Sequence, residues 1–180
     1  VLRMAGIEGY HIFYVDAMRV AKAVAAMPAV ERARVVCQLP NRVWLQVTER
    51  TPAVIWQSEG VQFWADREGA LFERRGDLAE PTVIVEQGAG PRRAGQTVDA
   101  RVVETVLGLR GWLPDTRIFG YSAKEGISFQ LPDGAVVFVS VECKQDEVRP
   151  ALERLQGELA AQGRQVNVID LRYGGRAYLR

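Results

Sequence analysis

The stretch from Ala33 to Pro52, ARVVCQLPNRVWLQVTERTP, constrains the fold of this chain more than any other. Two segments in which apolar and polar residues alternate flank a break at Leu39-Pro40-Asn41. Because successive side chains of a strand point to opposite faces, this pattern predicts a β ribbon with one apolar face. That face would carry Ala33, Val35, Cys37, Val43, Leu45 and Val47. Such a ribbon offers backbone edges and a polar face, which favours a docking module over a catalyst.

Three helices are predicted around and beyond this ribbon. Asp16 is a suitable N-cap for a helix over Ala17–Met27, and Asp99 for a second helix that ends near Gly111. A third helix is predicted over Asp146–Ala161, because apolar residues recur there at helical spacing. Each helix therefore has one apolar stripe that can pack on a sheet.

Short strands separated by turn sequences are predicted for most of the remaining chain. Glycine-containing turns and a Pro132-Asp133-Gly134 hairpin signal divide them. The predicted strands are Ala53–Gln57, Val61–Ala65, Ala70–Phe72, Thr82–Glu86, Ile127–Leu131, Ala135–Val141, Val166–Tyr173 and Arg176–Leu179. The order of elements predicts an α+β chain, with a change of character at Pro52.

Composition argues against several classes of partner. The chain has 180 residues, of which 48% are apolar and 25% charged, and a formal net charge of +1. Nucleic-acid-binding surfaces normally show a clear basic excess, so we expect no nucleic-acid partner. The pairs Arg74-Arg75 and Arg92-Arg93 are interpreted as solvated loop charge. No apolar run approaches the ~20 residues that span a bilayer.

The start of the chain and its two cysteines carry further expectations. The sequence opens with Val1-Leu2-Arg3-Met4, which resembles the tail of a cut helix, so we treat the chain as a fragment that a membrane anchor could precede. Cys37 and Cys143 both fall in or near predicted strands, in different parts of the chain. We expect two free and mostly buried thiols.

Catalytic chemistry finds little support in the sequence. His11 is the only histidine, so no metal site can be built on two histidines, and no nucleophile, phosphate-loop or zinc-protease motif is present. We therefore predict no catalytic residue, no metal and no cofactor. Trp56, Phe63 and Trp64 could line a sugar platform, although aromatic residues in strands more often belong to the core.

The order of several motifs resembles a known family. The first is Gly9-x-x-Ile12-Phe13-x-Val15-Asp16, followed by Met27-Pro28-x-Val30-x-x-Ala33-x-Val35 and Leu39-Pro40-x-x-Val43-x-Leu45-x-Val47-x-Glu49-Arg50-x-Pro52. Trp56, Asp66-x-x-Gly69-x-Leu71-Phe72, the Asp133-Gly134 hairpin and Ile169-Asp170-Leu171-Arg172-Tyr173 follow in the same order. Together they resemble the FtsQ/DivIB cell-division family over almost the whole chain.

The resemblance implies a domain organisation, and the sequence departs from the family pattern in two respects. Residues 1–51 would form a small POTRA module of β-α-β type, and residues 52–180 a larger antiparallel-sheet β domain with helices packed on it. The first strand and most of the first helix of the POTRA module would precede Val1, which leaves the module N-terminally incomplete. Cys37 stands where the family often has Arg, which puts a charge-based contact there in doubt.

The resemblance also implies a function without catalysis. Family members are single-pass envelope proteins of the division septum, with this region outside the membrane. They scaffold the division complex and help control septal peptidoglycan synthesis by binding FtsB/DivIC-like and FtsL-like partners. Other components of the division complex remain possible partners.

In the family, the partner docks on the last strands by β-augmentation. The matching positions here are Arg172, Tyr173, Gly175, Arg176, Ala177, Tyr178 and Leu179. Tyr173 and Tyr178 are expected to be anchors, and Arg172 to pair with an acidic partner residue. Two alternatives stay open: Tyr173 as a core residue, and residues 176–179 as a frayed terminus.

The POTRA face that includes Trp44 and Gln46 is a second predicted docking surface, for another division protein or the membrane-proximal part of the complex. Two other functions remain as alternatives. One is the POTRA-bearing part of an outer-membrane assembly or secretion protein, and the other is a carbohydrate-binding or hydrolytic protein of the envelope.

Overall fold

The computed structural model describes residues 12–173 and 176–179, and the chain divides into two compact units at the Thr51–Pro52 junction. The first unit contains a 3-10 turn at Ile12–Tyr14, helix α1 (Ala17–Ala25) and the strands β1 (Val30–Gln38) and β2 (Arg42–Glu49). The strands pair antiparallel, as the alternation in the sequence indicates.

Helix α1 begins where the sequence places its cap. A carboxylate oxygen of Asp16 accepts hydrogen bonds from the backbone N–H groups of Met18 and Arg19, at 3.1 and 3.0 Å. This satisfies donors that have no partner inside the helix. The helix ends two residues earlier than predicted, at Ala25.

The small core of the first unit forms between α1 and one face of the ribbon. Val20, Val24 and Val30 are buried. The ribbon contributes partly buried side chains from alternate positions, namely Ala33, Val35, Leu45 and Val47. The predicted apolar face is therefore confirmed, except at its far end. Cys37 is exposed, which contradicts the expectation of a buried thiol, and Cys143 in the second unit is only half-buried.

The second unit is built on one nine-stranded sheet. Its strands are β3 (Val54–Ser58), β4 (Val61–Ala65), β5 (Leu71–Glu73), β6 (Val83–Glu86), β7 (Ile118–Ser122), β8 (Gly126–Gln130), β9 (Val136–Val139), β10 (Val168–Tyr173) and β11 (Arg176–Leu179). The spatial order is β11-β10-β9-β8-β7-β6-β3-β4-β5. Strands β5 and β11 therefore form the two edges.

The α+β fold class is confirmed, but the sheet is mixed rather than antiparallel throughout. Strand β6 lies parallel to both of its neighbours, β3 and β7, and β10 lies parallel to β9. Parallel neighbours need a crossover connection, which a helix provides for β6–β7 and for β9–β10, and the segment with β4 and β5 provides for β3–β6. Helix α2 (Ala100–Trp112) lies between β6 and β7 in the chain, and helix α3 (Gln145–Ala161) between β9 and β10.

The main core lies between these helices and one face of the sheet. Helix α2 buries Val102, Val103, Val106 and Leu109, and helix α3 buries Val148 and Leu152. Trp56, Phe119, Ile127, Val137 and Ile169 come from alternate positions of the strands and complete the cluster. The helical stripes predicted from the sequence therefore face this core.

Strand β7 is absent from the sequence-based prediction. It has five residues, and Gly120 interrupts its apolar pattern. The gap has a packing reason, since a Cβ at Gly120 would collide with the hydroxyl of Ser128 on the adjacent strand β8. The close approach of β7 and β8 thus requires glycine at position 120, and the alternating pattern that would predict a strand is interrupted there.

Candidate functional site

The candidate site is the edge of the sheet formed by β10 and β11. Strand β11 pairs antiparallel with β10, and in the described part of the chain no strand pairs with its outer side. The register places Ile169 opposite Leu179 and Asp170 opposite Tyr178, and then shifts so that Tyr173 lies opposite Arg176. An edge strand presents backbone N–H and C=O groups to which another extended segment can bond.

Tyr173 and Tyr178 form an aromatic pair at this edge. Their ring centroids lie 5.8 Å apart with the planes at 86°, an edge-to-face arrangement. The side chains are 59% and 51% exposed, so Tyr173 is not a core residue. Rings that already contact one another have less freedom to lose on binding, which suits them to anchor a partner.

Arg172 is held by groups of its own chain. Its Nε donates to one carboxylate oxygen of Asp170 at 2.9 Å, and its Nη2 to the other at 2.5 Å. The hydrogen bonds with Asp170 raise the pKa of Arg172. The guanidinium also lies 5.5 Å from the ring centroids of Phe138 and Tyr173. Arg172 is therefore fixed beside the tyrosine pair, and an acidic group of a partner would have to share it with Asp170.

The other predicted positions divide into three kinds. Leu179 is half-buried and packs against the main core, so it attaches the end of β11 to the domain. The backbones of Arg176 and Ala177 belong to β11, and the alternative of a frayed terminus is wrong for residues 176–179. Gly175 lies outside the described residues.

The opposite edge of the sheet is closed by backbone hydrogen bonds. Residues 95–98, called the strap here, run beside β5. The N–H of Gly95 donates to the carbonyl of Leu71, and the N–H of Leu71 donates to the carbonyl of Gln96, each at 2.8 Å. The N–H of Val98 donates to the carbonyl of Gly69 at 2.9 Å. The strap therefore occupies the outer side of β5 at Leu71, where an added strand would bond.

A partly buried ion pair holds the loop that leads into the strap. Arg92 donates from Nε and Nη2 to the carboxylate of Glu86, at 2.9 and 2.6 Å, and the indole N–H of Trp56 donates to the same group at 2.9 Å. Burial opposes ionisation, but these hydrogen bonds outweigh it and lower the pKa of Glu86 from its usual value of 4.5. The interpretation of Arg92 as solvated loop charge is therefore wrong. No spacing in the sequence could have paired it with Glu86.

Trp44 and Gln46 both lie on the exposed face of the β1–β2 ribbon. Trp44 is 59% exposed, and its indole N–H donates to the side-chain oxygen of Gln38 at 3.2 Å. In the register, Trp44 lies opposite Val36, and Gln46 opposite Arg34. The predicted docking residues thus share one outward face, away from α1.

The described residues offer little to the alternative functions. Trp56 is fully buried in the core and Phe63 is 9% exposed, so they cannot form a sugar platform with Trp64. Within residues 12–173 and 176–179, no group of three or more His, Cys, Asp or Glu side chains could hold a metal ion. His11 lies outside the described residues. None of the helices in the described part of the chain is long and apolar enough to cross a membrane.

Comparison with known proteins finds a family model and several similar proteins. A family model described as "POTRA domain, FtsQ-type" matches residues 1–50. A protein of Chloroflexus aurantiacus named Cell division protein FtsQ is 29% identical over 174 residues, which cover 92% of this chain and 62% of that protein.

Two further relatives carry the same name. The Chloroflexus aggregans protein is 27% identical over 88% of this chain and 57% of its own length, and the Streptomyces venezuelae protein 26% identical over 62% and 44%. The chain thus spans about three fifths of the length of the first two relatives. The chain is similar to FtsQ cell division proteins over most of its length, and its residues 1–50 match an FtsQ-type POTRA domain.

Proposed function

We propose that this chain is the extracytoplasmic part of a non-catalytic scaffold of the bacterial division complex. In this proposal residues 1–51 are the POTRA domain and residues 52–180 the β domain, and an upstream helix holds the protein in the cell membrane at the septum. The names of the relatives support a role in cell division. The scaffold acts by binding FtsB/DivIC-like and FtsL-like partners, and so helps to control septal peptidoglycan synthesis.

The observation that carries the proposal is the difference in access at the two sheet edges. The strap occupies the β5 edge, whereas the outer side of β11 carries no paired strand among the described residues. A partner segment in extended conformation can therefore add to the sheet at β11 and gain main-chain hydrogen bonds. The tyrosine pair at the same edge provides apolar area for side-chain recognition.

The proposal predicts that Ala177→Pro abolishes partner binding and leaves the fold intact. Proline removes the backbone N–H at position 177 and disfavours pairing of an added strand there, and the change lies in an edge strand and does not empty the core. The measurement is a calorimetric titration of the chain with the extracytoplasmic segment of an FtsB/DivIC-like partner. Thermal unfolding of the variant checks that the domain still folds.

Ala177→Ser is the matched control, because serine changes the side chain and keeps the backbone N–H. We expect it to bind with the affinity of the original chain. Unchanged affinity in the proline variant would rule out β-augmentation at this strand. Equal loss in both variants would mean that the side chain at position 177, and not the backbone, is recognised.

A further inference from the structure

A second surface of the molecule combines exposed apolar side chains with arginines. It lies at the tip of the β1–β2 hairpin, defined here as residues 36–44. Val36 is 45% exposed, Leu39 64% and Trp44 59%. Because Val36 and Trp44 lie opposite one another in the register, and Leu39 begins the connecting turn, the three side chains belong to one end of the hairpin. Surfaces of soluble proteins rarely expose several apolar side chains together.

Two arginines flank these apolar groups on the outer face. Arg34 lies two residues before Val36 on β1, and Arg42 two residues before Trp44 on β2, so all four side chains point to the same side of the ribbon. Both arginines are exposed, and neither has an acidic partner among the described residues. The nearest acidic residues of the ribbon, Glu31 and Glu49, lie at its other end. The tip therefore carries uncompensated positive charge.

The hydrogen bonding of Trp44 prepares its ring for an apolar environment. Its indole N–H already donates to Gln38 on the neighbouring strand. Moving an indole out of water normally leaves the N–H without an acceptor, which is unfavourable. Here the acceptor, the side-chain oxygen of Gln38, would enter the lipid interface together with the ring. The side chain can thus enter a boundary between water and hydrocarbon without losing that bond.

We propose that the tip of the β1–β2 hairpin binds an anionic lipid surface. Trp44, Leu39 and Val36 enter the headgroup region, and Arg34 and Arg42 bond to lipid phosphates. Arginine and tryptophan are the residue types that favour this interface, one through phosphate bonding and the other through its amphipathic ring. A hairpin tip that carries three exposed apolar side chains beside two arginines matches a lipid surface, because that surface offers both an apolar interior and phosphate groups. The proposal concerns a different surface from β11 and does not depend on partner binding there.

The test is sedimentation of the whole chain with lipid vesicles. One set contains phosphatidylcholine and phosphatidylglycerol in equal parts, and the other contains phosphatidylcholine only. We expect binding to the first set, weaker binding to the second, and a decrease as salt is raised. The double variant Arg34→Gln/Arg42→Gln should lower the partition coefficient on anionic vesicles roughly 25-fold, because each basic residue near such a surface contributes about 1 kcal/mol.

Two further variants distinguish a specific role of the hairpin tip from effects of net charge and of folding. Arg67→Gln/Arg164→Gln removes the same charge from exposed positions of the second unit and should bind as the original chain does. Trp44→Ala should weaken binding to both vesicle sets. Since these residues lie outside the buried cores, thermal unfolding should not change in any variant.

Three results would overturn the proposal. The first is equal binding of the chain to both vesicle sets, or to neither. The second is an equal loss in the Arg67→Gln/Arg164→Gln control, which would indicate net charge rather than the tip. The third is binding of a poly-glutamate peptide that depends on Arg34 and Arg42, with no vesicle binding, which would make this face a docking site for an acidic protein.

Discussion

The two edges of the nine-stranded sheet differ in how their backbone groups are used. At β5 the strap supplies an intramolecular partner, with hydrogen bonds in both directions between Leu71 and residues 95–96. At β11 the described residues include no such partner, and two tyrosines stand more than half exposed beside the strand. One edge of the sheet therefore has an intramolecular hydrogen-bond partner, and the other edge has none among the described residues.

This difference indicates where another chain can be recognised in this domain. Free edges promote unwanted pairing, and proteins usually cover or charge them. A loop, a partly buried ion pair and the four residues of the strap cover β5 at Leu71. The proposal for β11 rests on the premise that an edge left uncovered in the same domain serves to bind a partner.

The largest effect on the closed edge is expected from Gly69→Ala. Gly69 has φ of +81°, and an added Cβ would overlap the carbonyl of Val98 in the strap. Backbone strain and this collision together should lower the free energy of unfolding by about 3 kcal/mol. Urea denaturation measures the loss, and hydrogen exchange should show the Leu71 amide losing protection.

Gly60→Ala is the control for this variant. Gly60 has the same φ of +81°, but an added Cβ there has no atom within 4 Å. Only the backbone strain remains, so we expect a loss of about 1 kcal/mol. If both variants lose the same stability, the strap does not press against Gly69, and the description of β5 as a closed edge fails.

A smaller effect on the same edge is expected from Glu86→Gln. The carboxylate is 2% exposed and pairs with Arg92, whose side chain is 29% exposed. Removing the charge leaves Arg92 without its counter-ion and loosens the loop before the strap, at a cost of about 2 kcal/mol. Glu142→Gln is the control, because the Arg101–Glu142 pair is exposed on both sides and should cost less than about 0.5 kcal/mol.

The same variant gives a prediction for pH. The pKa of Glu86 is lower in the folded chain than its usual value of 4.5. The ionised carboxylate therefore stabilises the fold at pH values above 4.5. That contribution is lost as pH falls through the lower folded pKa. The stability difference between the original chain and Glu86→Gln should therefore narrow below pH 4.5. A difference that stays constant down to acid unfolding would contradict the assignment.

The ribbon shows how much of this architecture the sequence predicts. Alternation in β1 and β2 defines which side chains face α1, because a period of two allows one buried face. The helices and most of the strands, with β7 as the exception, were also predicted from local patterns. These features depend on neighbours in sequence, which periodicity and turn residues encode.

The closed edge could not be predicted in this way. Its bonds join Leu71 to Gln96, and its ion pair lies between a strand end and a glycine-containing loop. Nothing local distinguishes Arg92 from the solvated Arg75. For the same reason the sequence alone does not decide whether Tyr173 lies in the core or at the surface. Which strand is an edge depends on the full order of the sheet, and the missed strand β7 lies at its centre.

The smallest effect is expected at the open edge, from Tyr178→Ala. The ring is half exposed, so its loss should leave the free energy of unfolding nearly unchanged. It should weaken partner binding about tenfold, because the variant removes one anchor ring and leaves the backbone of β11 in place. Tyr178→Phe keeps the ring and should bind almost as the original chain does. Ile118→Ala, at a 64% exposed position of β7, should have no effect. If all three variants bind equally well, recognition at β11 rests on backbone bonds alone, and the two edges differ only in whether those bonds are already made.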